Sequence, residues 1–187
     1  IAHGLVLSPA LLAAGLALAA AISPGTAAMV AVYVASTTLY SFWLKRKMLV
    51  DVFALALLYT LRVLIGSEAT GVPTSAWLLG FSIFTFLSLG AAKRAAELVH
   101  LGQAGRDGAN GRDYFVWDRH AVAMLGHGAA VAAAVVMALY VHSDSVRALY
   151  AQPTWLWTWV VLVLYWLARA WMVTLRGAMH DDPIVFA

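Results

Sequence analysis

Six long apolar runs constrain the fold of this chain more than any other feature. They cover about 5–23, 25–44, 49–66, 75–92, 121–142 and 155–175. Each run is roughly long enough to cross a ~30 Å hydrocarbon core as an α-helix. Because the 187 residues are 63% hydrophobic and only 11% charged, the composition lies outside the range of soluble domains. The sequence predicts an all-α, polytopic transmembrane bundle of about six helices, in a single domain over residues 1–187.

The positions of the lysines and arginines predict the topology. Cations follow the second, fourth and sixth runs, in segments 45–47 and 93–119 and at Arg176. The opposite joints, 67–74 and 143–154, carry Arg147 as their one lysine or arginine. The positive-inside rule then places both ends of this segment in the cytoplasm, and we expect a multi-pass protein of the cell's inner (plasma) membrane. Because the cations flank spans and do not line one soluble face, the net charge of +3 does not indicate a nucleic-acid partner.

Two further sequence features narrow the function and the boundaries. The chain has no cysteine, which excludes a disulfide framework, a thiolate metal site and a thiol nucleophile. It opens Ile1-Ala2-His3-Gly4, without an initiator methionine or a signal peptide. We interpret the chain as a fragment or a processed product.

A charged cluster follows the last apolar run. Arg176, His180, Asp181 and Asp182 stand together where the chain leaves the membrane. Such residues suit a polar headgroup or a metal-bound diphosphate, which points to lipid-phosphate chemistry. Alternatively, Asp-Asp-Pro caps a following helix whose first turn starts at Pro183.

The joint at about 93–120 is the longest and the most polar. Glycine and asparagine make it flexible, and it lies on the same predicted face as the terminal cluster. It could close over a headgroup site, or it could be a solvated connector.

Several short motifs follow one another along the chain. Segment 40–45, Tyr-Ser-Phe-Trp-Leu-Lys, is followed by Asp51 and by Leu-Arg-Val-Leu-Ile-Gly at 61–66, and this series resembles the middle of UbiA-superfamily prenyltransferases. Segment 93–98, Lys-Arg-Ala-Ala-Glu-Leu, resembles the signature of the branch that includes decaprenyl-phosphate phosphoribosyltransferases. Segments 111–114 and 180–187 resemble members fused behind a HAD-like phosphatase domain.

The resemblance also implies parts that this sequence lacks. Such enzymes have about nine helices and an Asn-Asp-x-x-Asp-x-x-x-Asp motif after the second, and neither that motif nor a HAD-like domain is present in these residues. We therefore expect the chain to start just past the first metal-binding motif and to stop before the last helix.

The chemistry implied by the resemblance is Mg²⁺-dependent transfer of a polyprenyl group, or joining of a polyprenyl phosphate to a phosphorylated sugar. The expected partners are a polyprenyl diphosphate or phosphate, a phosphoribosyl or aromatic acceptor and the lipid bilayer, with a homo-oligomer or larger membrane assembly also open. The candidate catalytic residues are Lys93, Arg94, Glu97, Asp181 and Asp182.

Three carboxylates are candidate metal ligands. Glu97 shares a helix face with Lys93 four residues earlier, so it binds metal or forms an ion pair. Asp51 binds metal or hydrogen-bonds to a lysine of segment 45–47. Asp118 lies where many relatives have a second Asp-rich motif, although the spacing from Asp113 departs from Asp-x-x-x-Asp.

A larger set of side chains is predicted to bind substrate. Its members are cations, tyrosines and one histidine, namely Tyr40, Lys45, Arg62, Arg112, Tyr114, Arg169, Arg176 and His180. For three of them a structural role stays open. Lys45 could serve topology alone, Arg62 could snorkel to the opposite interface, and Arg169 could reach the near interface or point inward to a phosphate.

Two other classes of function compete with the transferase. A non-catalytic accessory subunit of a larger membrane complex would need no complete metal site. A small transporter is less favoured, because inverted repeats and intramembrane charge pairs are not evident in the sequence.

Overall fold

The computed structural model describes residues 2–108 and 111–179, and these fold into helices. They are α1 (Ala2–Ile22), α2 (Pro24–Phe42), α3 (Val50–Thr70), α4 (Ala76–Gln103), α5 (Arg119–Val141), α6 (Asp144–Leu149) and α7 (Trp157–Leu175). Short 3-10 turns cover Leu44–Arg46, Val116–Asp118 and Pro153–Leu156. No β-strand occurs in the described ranges, where an isolated bridge joins Gly108 and Phe115. The predicted all-α class is confirmed.

The helices agree with the predicted apolar runs. Five stretches, from Pro24–Arg46 to Pro153–Leu175, are long and apolar enough to cross a membrane, and Leu7–Ile22 of α1 is a shorter apolar helix. The six predicted helices are all present. The six-residue α6 was not predicted, because its sequence has no apolar period of its own.

Helix α4 differs most from its prediction. The apolar run stops near residue 92 and the spacing of Lys93 and Glu97 predicts helix as far as 97, but the helix continues to Gln103, for 28 residues or ~42 Å. That length exceeds a ~30 Å hydrocarbon core, so the last turns project beyond it. The polar end stays helical because its side chains pair with α3 and with the following loop. Part of the predicted flexible joint is therefore a rigid helix end.

Local sequence explains where several helices begin and end. Ser23 accepts a 2.9 Å hydrogen bond from the backbone N–H of Thr26, and Pro24 occupies the first helical position of α2. Ser75 caps α4 in the same way by accepting from the Leu78 N–H at 3.1 Å. Gly71 ends α3 at a φ of 70°, which suits glycine.

The core lies where α4 packs against α3, α5 and α7. Small residues let the helices approach closely, as is typical of membrane bundles. A Cβ on Gly126 of α5 would lie 2.0 Å from the Trp171 ring of α7. Trp171 donates a 2.9 Å hydrogen bond from Nε1 to Ser88 Oγ, and His127 packs on its ring with centroids 4.5 Å apart. By contrast, α2 buries only Thr26 within the described bundle.

Candidate active site at the charged end of the bundle

A buried ion-pair network joins the start of α3 to the end of α4. Asp51, in the first turn of α3, is 0% exposed, and Arg94 of α4 is 3% exposed. Arg94 donates from Nε to Asp51 Oδ2 at 2.8 Å and also pairs with Glu97 one turn further along α4. Because its donors bind two carboxylates, one buried and one partly exposed, Arg94 is held in one orientation.

Tyr114 connects the loop after α4 to this network. Its hydroxyl donates to Asp51 Oδ1 at 2.7 Å and accepts from the backbone N–H of Leu49 at 2.7 Å. Leu49 has a φ of 62°, a left-handed conformation that costs a non-glycine residue energy and that the Tyr114 contact helps to hold. Burial and the hydrogen bond to Asp51 raise the pKa of the Tyr114 hydroxyl well above its usual range.

The same loop carries a second partner of Glu97, which also pairs with Arg94. Arg112 donates from a terminal nitrogen to Glu97 Oε2 at 2.8 Å, and the two side chains are 28% and 37% exposed. The backbone N–H of Asp113 donates to the Arg46 carbonyl at 3.2 Å. Residues 112–114 of the loop therefore contact the end of α4, the turn before α3 and the start of α3.

The segment after α7 reaches the same end of the bundle. A His100 ring nitrogen lies 2.9 Å from the Met179 carbonyl, and Met179 is 2% exposed. Thr174 also places its hydroxyl 3.3 Å from the Met179 sulfur. The chain thus arrives at the last turns of α4 just before the predicted cluster His180, Asp181 and Asp182, which lies outside the described residues.

The three proposed metal carboxylates have other partners in the structure. Asp51 pairs with Arg94 and Tyr114, not with a lysine of segment 45–47, because α4 brings Arg94 against the first turn of α3. Glu97 accepts from two arginines, and Asp118 Oδ2 accepts from the Phe115 N–H at 2.8 Å. No group of three or more histidine, aspartate or glutamate side chains in the described ranges could hold a metal ion. By themselves, these residues do not fit a Mg²⁺ centre.

The described substrate-binding candidates lie in several parts of the bundle. Tyr40 is half-buried on α2 within electrostatic reach of Asp51, Arg94 and Glu97, and Lys45 is half-buried in the turn after α2. Lys93, a predicted catalytic residue, is exposed on α4 next to Arg94. Arg169 and Arg176 of the α7 region are exposed on the bundle. Arg112 and Tyr114 therefore bond within the network, Tyr40 lies near it without a hydrogen bond to it, and Arg62 lies elsewhere.

Arg62 forms a separate cluster with tyrosines. Its Nε donates to the Tyr33 hydroxyl at 2.8 Å, and its guanidinium carbon lies 5.2 Å from the Tyr33 ring centroid and 5.0 Å from that of Tyr59. This geometry differs from snorkelling, since the charge is held by a side chain of the neighbouring helix. Sequence reasoning missed both this contact and the Asp51–Arg94 pair. A signal in the sequence existed for Arg62 alone, which has no acidic residue one turn away in its apolar run.

No protein-family model matches this chain. It is similar to the uncharacterized protein y4nM of Sinorhizobium fredii, with 38% identity over 99% of this chain and 36% of that protein. It is also similar to the nodulation protein NoeC of Azorhizobium caulinodans, with 35% identity over 86% of this chain and 52% of that protein. The chain spans between about a third and a half of the length of these two relatives.

Partial similarity extends to decaprenyl-phosphate phosphoribosyltransferases. The Mycobacterium tuberculosis enzyme is 35% identical over 44% of this chain and 27% of its own length. The Mycolicibacterium smegmatis enzyme is 33% identical over 53% of this chain and 33% of its own length. These matches support the UbiA superfamily. With the apolar helices they indicate a multi-pass membrane protein.

Proposed function

We propose that this chain has the function of a UbiA-type polyprenyl transferase. The substrate would be a polyprenyl phosphate or diphosphate, the acceptor a phosphoribosyl or aromatic compound, and the reaction would take place at the cytoplasmic face of the inner membrane. The single observation that carries the proposal is the closed network of Asp51, Arg94, Glu97, Arg112 and Tyr114 at the charged end of the bundle. Similarity to decaprenyl-phosphate phosphoribosyltransferases supports the same class.

The network divides into a positioning half and a half that can meet substrate. Asp51 and Arg94 are buried, so their roles are to fix α3 against α4 and to orient Glu97. Arg112 and Glu97 are partly exposed, and Lys93 is exposed on the same helix end. A phosphate arriving from the membrane surface would meet Lys93 and Arg112, whose positive charges stabilise phosphate oxygens.

The contact between Arg112 and Glu97 is the point at which a phosphate would bind. Arg112 is bound to a partly exposed carboxylate, an interaction that solvent weakens. A substrate phosphate competes with Glu97 for the guanidinium, whereas Tyr114 keeps the loop attached to Asp51. Arg112 would thus bind the phosphate while the loop stays in place.

The proposed reaction depends on Mg²⁺, which requires carboxylates that bind the ion. When bound, Mg²⁺ would neutralise charge on the diphosphate. Since the described carboxylates do not converge, Asp181 and Asp182 or carboxylates from other parts of the protein would have to hold it.

The test is an assay of the full-length protein reconstituted in liposomes. It would be supplied with decaprenyl phosphate and a labelled phosphoribosyl diphosphate, or with a prenyl diphosphate and an aromatic acid, in magnesium or in EDTA. We expect a labelled lipid product with magnesium, and about 100-fold less from Lys93→Gln and Arg112→Gln. The matched control is Arg106→Gln, which removes an exposed arginine from the same loop.

A second function, the accessory membrane subunit, is favoured by one observation: the described residues contain no three-ligand metal group. In that case the purified protein would give no product with either substrate pair. Activity would then appear only after a partner enzyme is added, and Lys93→Gln would leave it unchanged.

A further inference from the structure

The face opposite the charged end carries a cation that the proposed reaction does not use. Arg147 of α6 is the one lysine or arginine in joints 67–74 and 143–154. Positive charge is normally depleted on such a face. Its i,i+3 partner Asp144 is fully exposed with N and O atoms 3.6 Å apart, so this ion pair contributes little. Another reason is needed for an arginine there.

Arg147 lines a small polar cavity between the end of α5 and the start of α7. The cavity has a volume of about 230 Å³, and its polar lining comes from Arg147, His142 and Thr154. Val141, Pro153 and Trp157 complete the wall. The Trp157 ring meets the His142 ring edge-on, with centroids 5.7 Å apart. A cation, an imidazole and a hydroxyl beside an indole provide hydrogen-bond donors for one anionic group.

The level of the cavity relative to the membrane indicates which anion it binds. Trp155 and Trp159 are 72% and 57% exposed on either side of Trp157, and exposed tryptophans mark the level of lipid headgroups. At that level the abundant anion is the phosphate of a phospholipid. We propose that this cavity binds the headgroup phosphate of an anionic phospholipid in the leaflet opposite the candidate active site. The guanidinium of Arg147 contacts the phosphate oxygens, Thr154 donates a hydrogen bond, and Trp157 packs beside the glycerol.

The site is independent of the proposed reaction, and the experiment uses binding only. Native mass spectrometry of the full-length protein in detergent, titrated with phosphatidylglycerol, measures the dissociation constant of the tightest bound lipid. We expect Arg147→Gln to weaken that binding about tenfold and Thr154→Val about threefold. Arg106→Gln, which removes an exposed arginine at the charged end, should match the unmodified protein.

Three results would overturn the proposal. The first is equal phosphatidylglycerol affinity in Arg147→Gln and in the unmodified protein. The second is an equal loss in Arg106→Gln, because the lipid would then bind by general charge. The third is displacement of the lipid by millimolar inorganic phosphate, which would make the cavity a site for a free anion. Arg147→Lys guards against misfolding: it keeps the charge and should lose only part of the affinity, since lysine lacks the planar fork of donors.

Discussion

Arg94 and Arg62 are two arginines of one helical bundle that are held by different chemistry. Arg94, at the charged end, is buried and donates to the carboxylates of Asp51 and Glu97. Arg62 is held by the hydroxyl of Tyr33 and the rings of Tyr33 and Tyr59. Tyr33 is nine residues from Pro24 and nine from Phe42, so it lies ~13 Å from either end of α2.

The difference follows from the cost of a carboxylate at each depth. Near the surface, water and polar backbone offset part of the cost of burying charged groups, and an ion-pair network can form. At mid-membrane depth an additional ionised group is expensive, whereas an aromatic hydroxyl supplies an oxygen and a π face without charge. We therefore expect the Arg94 network to carry more stability and the Arg62 cluster to carry less.

The largest expected effect comes from Arg94→Met. It leaves the Asp51 carboxylate buried without its cation, which costs about 3–5 kcal/mol of unfolding free energy. Thermal or denaturant unfolding in detergent measures the loss. Combining it with Asp51→Asn removes both charges and should restore most of the stability; an additive loss in the double variant would contradict a buried ion pair.

Tyr114→Phe should cost about 2–3 kcal/mol, since it leaves an Asp51 oxygen and the Leu49 N–H without their partner. The control is Tyr165→Phe, whose ring is 66% exposed on α7, and it should change stability little.

The pH dependence of stability tests the same contact. The raised pKa of Tyr114 means that the folded protein holds this proton more tightly than the unfolded chain, whose value is near 10.0. The stabilisation is complete below about pH 10 and is lost as pH rises above it. Tyr114→Phe should remove this alkaline loss, and an unchanged loss in that variant would assign it to another group.

Tyr33→Phe has a smaller expected effect, about 1 kcal/mol, because it removes the hydroxyl that accepts from Nε and a terminal nitrogen of Arg62 but keeps both rings. Arg62→Lys retains the charge but loses the planar stacking surface. If Tyr33→Phe cost as much as Arg94→Met, the contrast between the two regions would be wrong.

The smallest expected change in stability comes from Glu97→Gln, about 0.5 kcal/mol, because Glu97 is 37% exposed and Arg94 keeps Asp51. Its effect on the proposed reaction should be larger, with about tenfold less lipid product in the liposome assay. Equal activity in the variant and the unmodified protein would remove Glu97 from the proposed site.

The sequence by itself determined the class of fold and the position of the helices. Apolar runs of membrane length leave the backbone no alternative to helices, and Ser23-Pro24 and Ser75 mark helix starts through local hydrogen bonds. These signals lie within a few residues of each other, so they are readable along the chain. The extension of α4 to Gln103 could not be predicted in this way, because side chains from other segments stabilise its polar end.

Only the tertiary structure decided which charges meet. Asp51 and Arg94 are 43 residues apart, Tyr114 and Asp51 are 63 apart, and Arg62 and Tyr33 are 29 apart. The sequence identified Asp51, Glu97 and Tyr114 as residues of interest but assigned Asp51 a local lysine or a metal. Pairing between distant residues depends on the packing of α3 against α4 and on the path of the loop. That packing is set by the fit of many small side chains across the helices, which no spacing along one helix encodes.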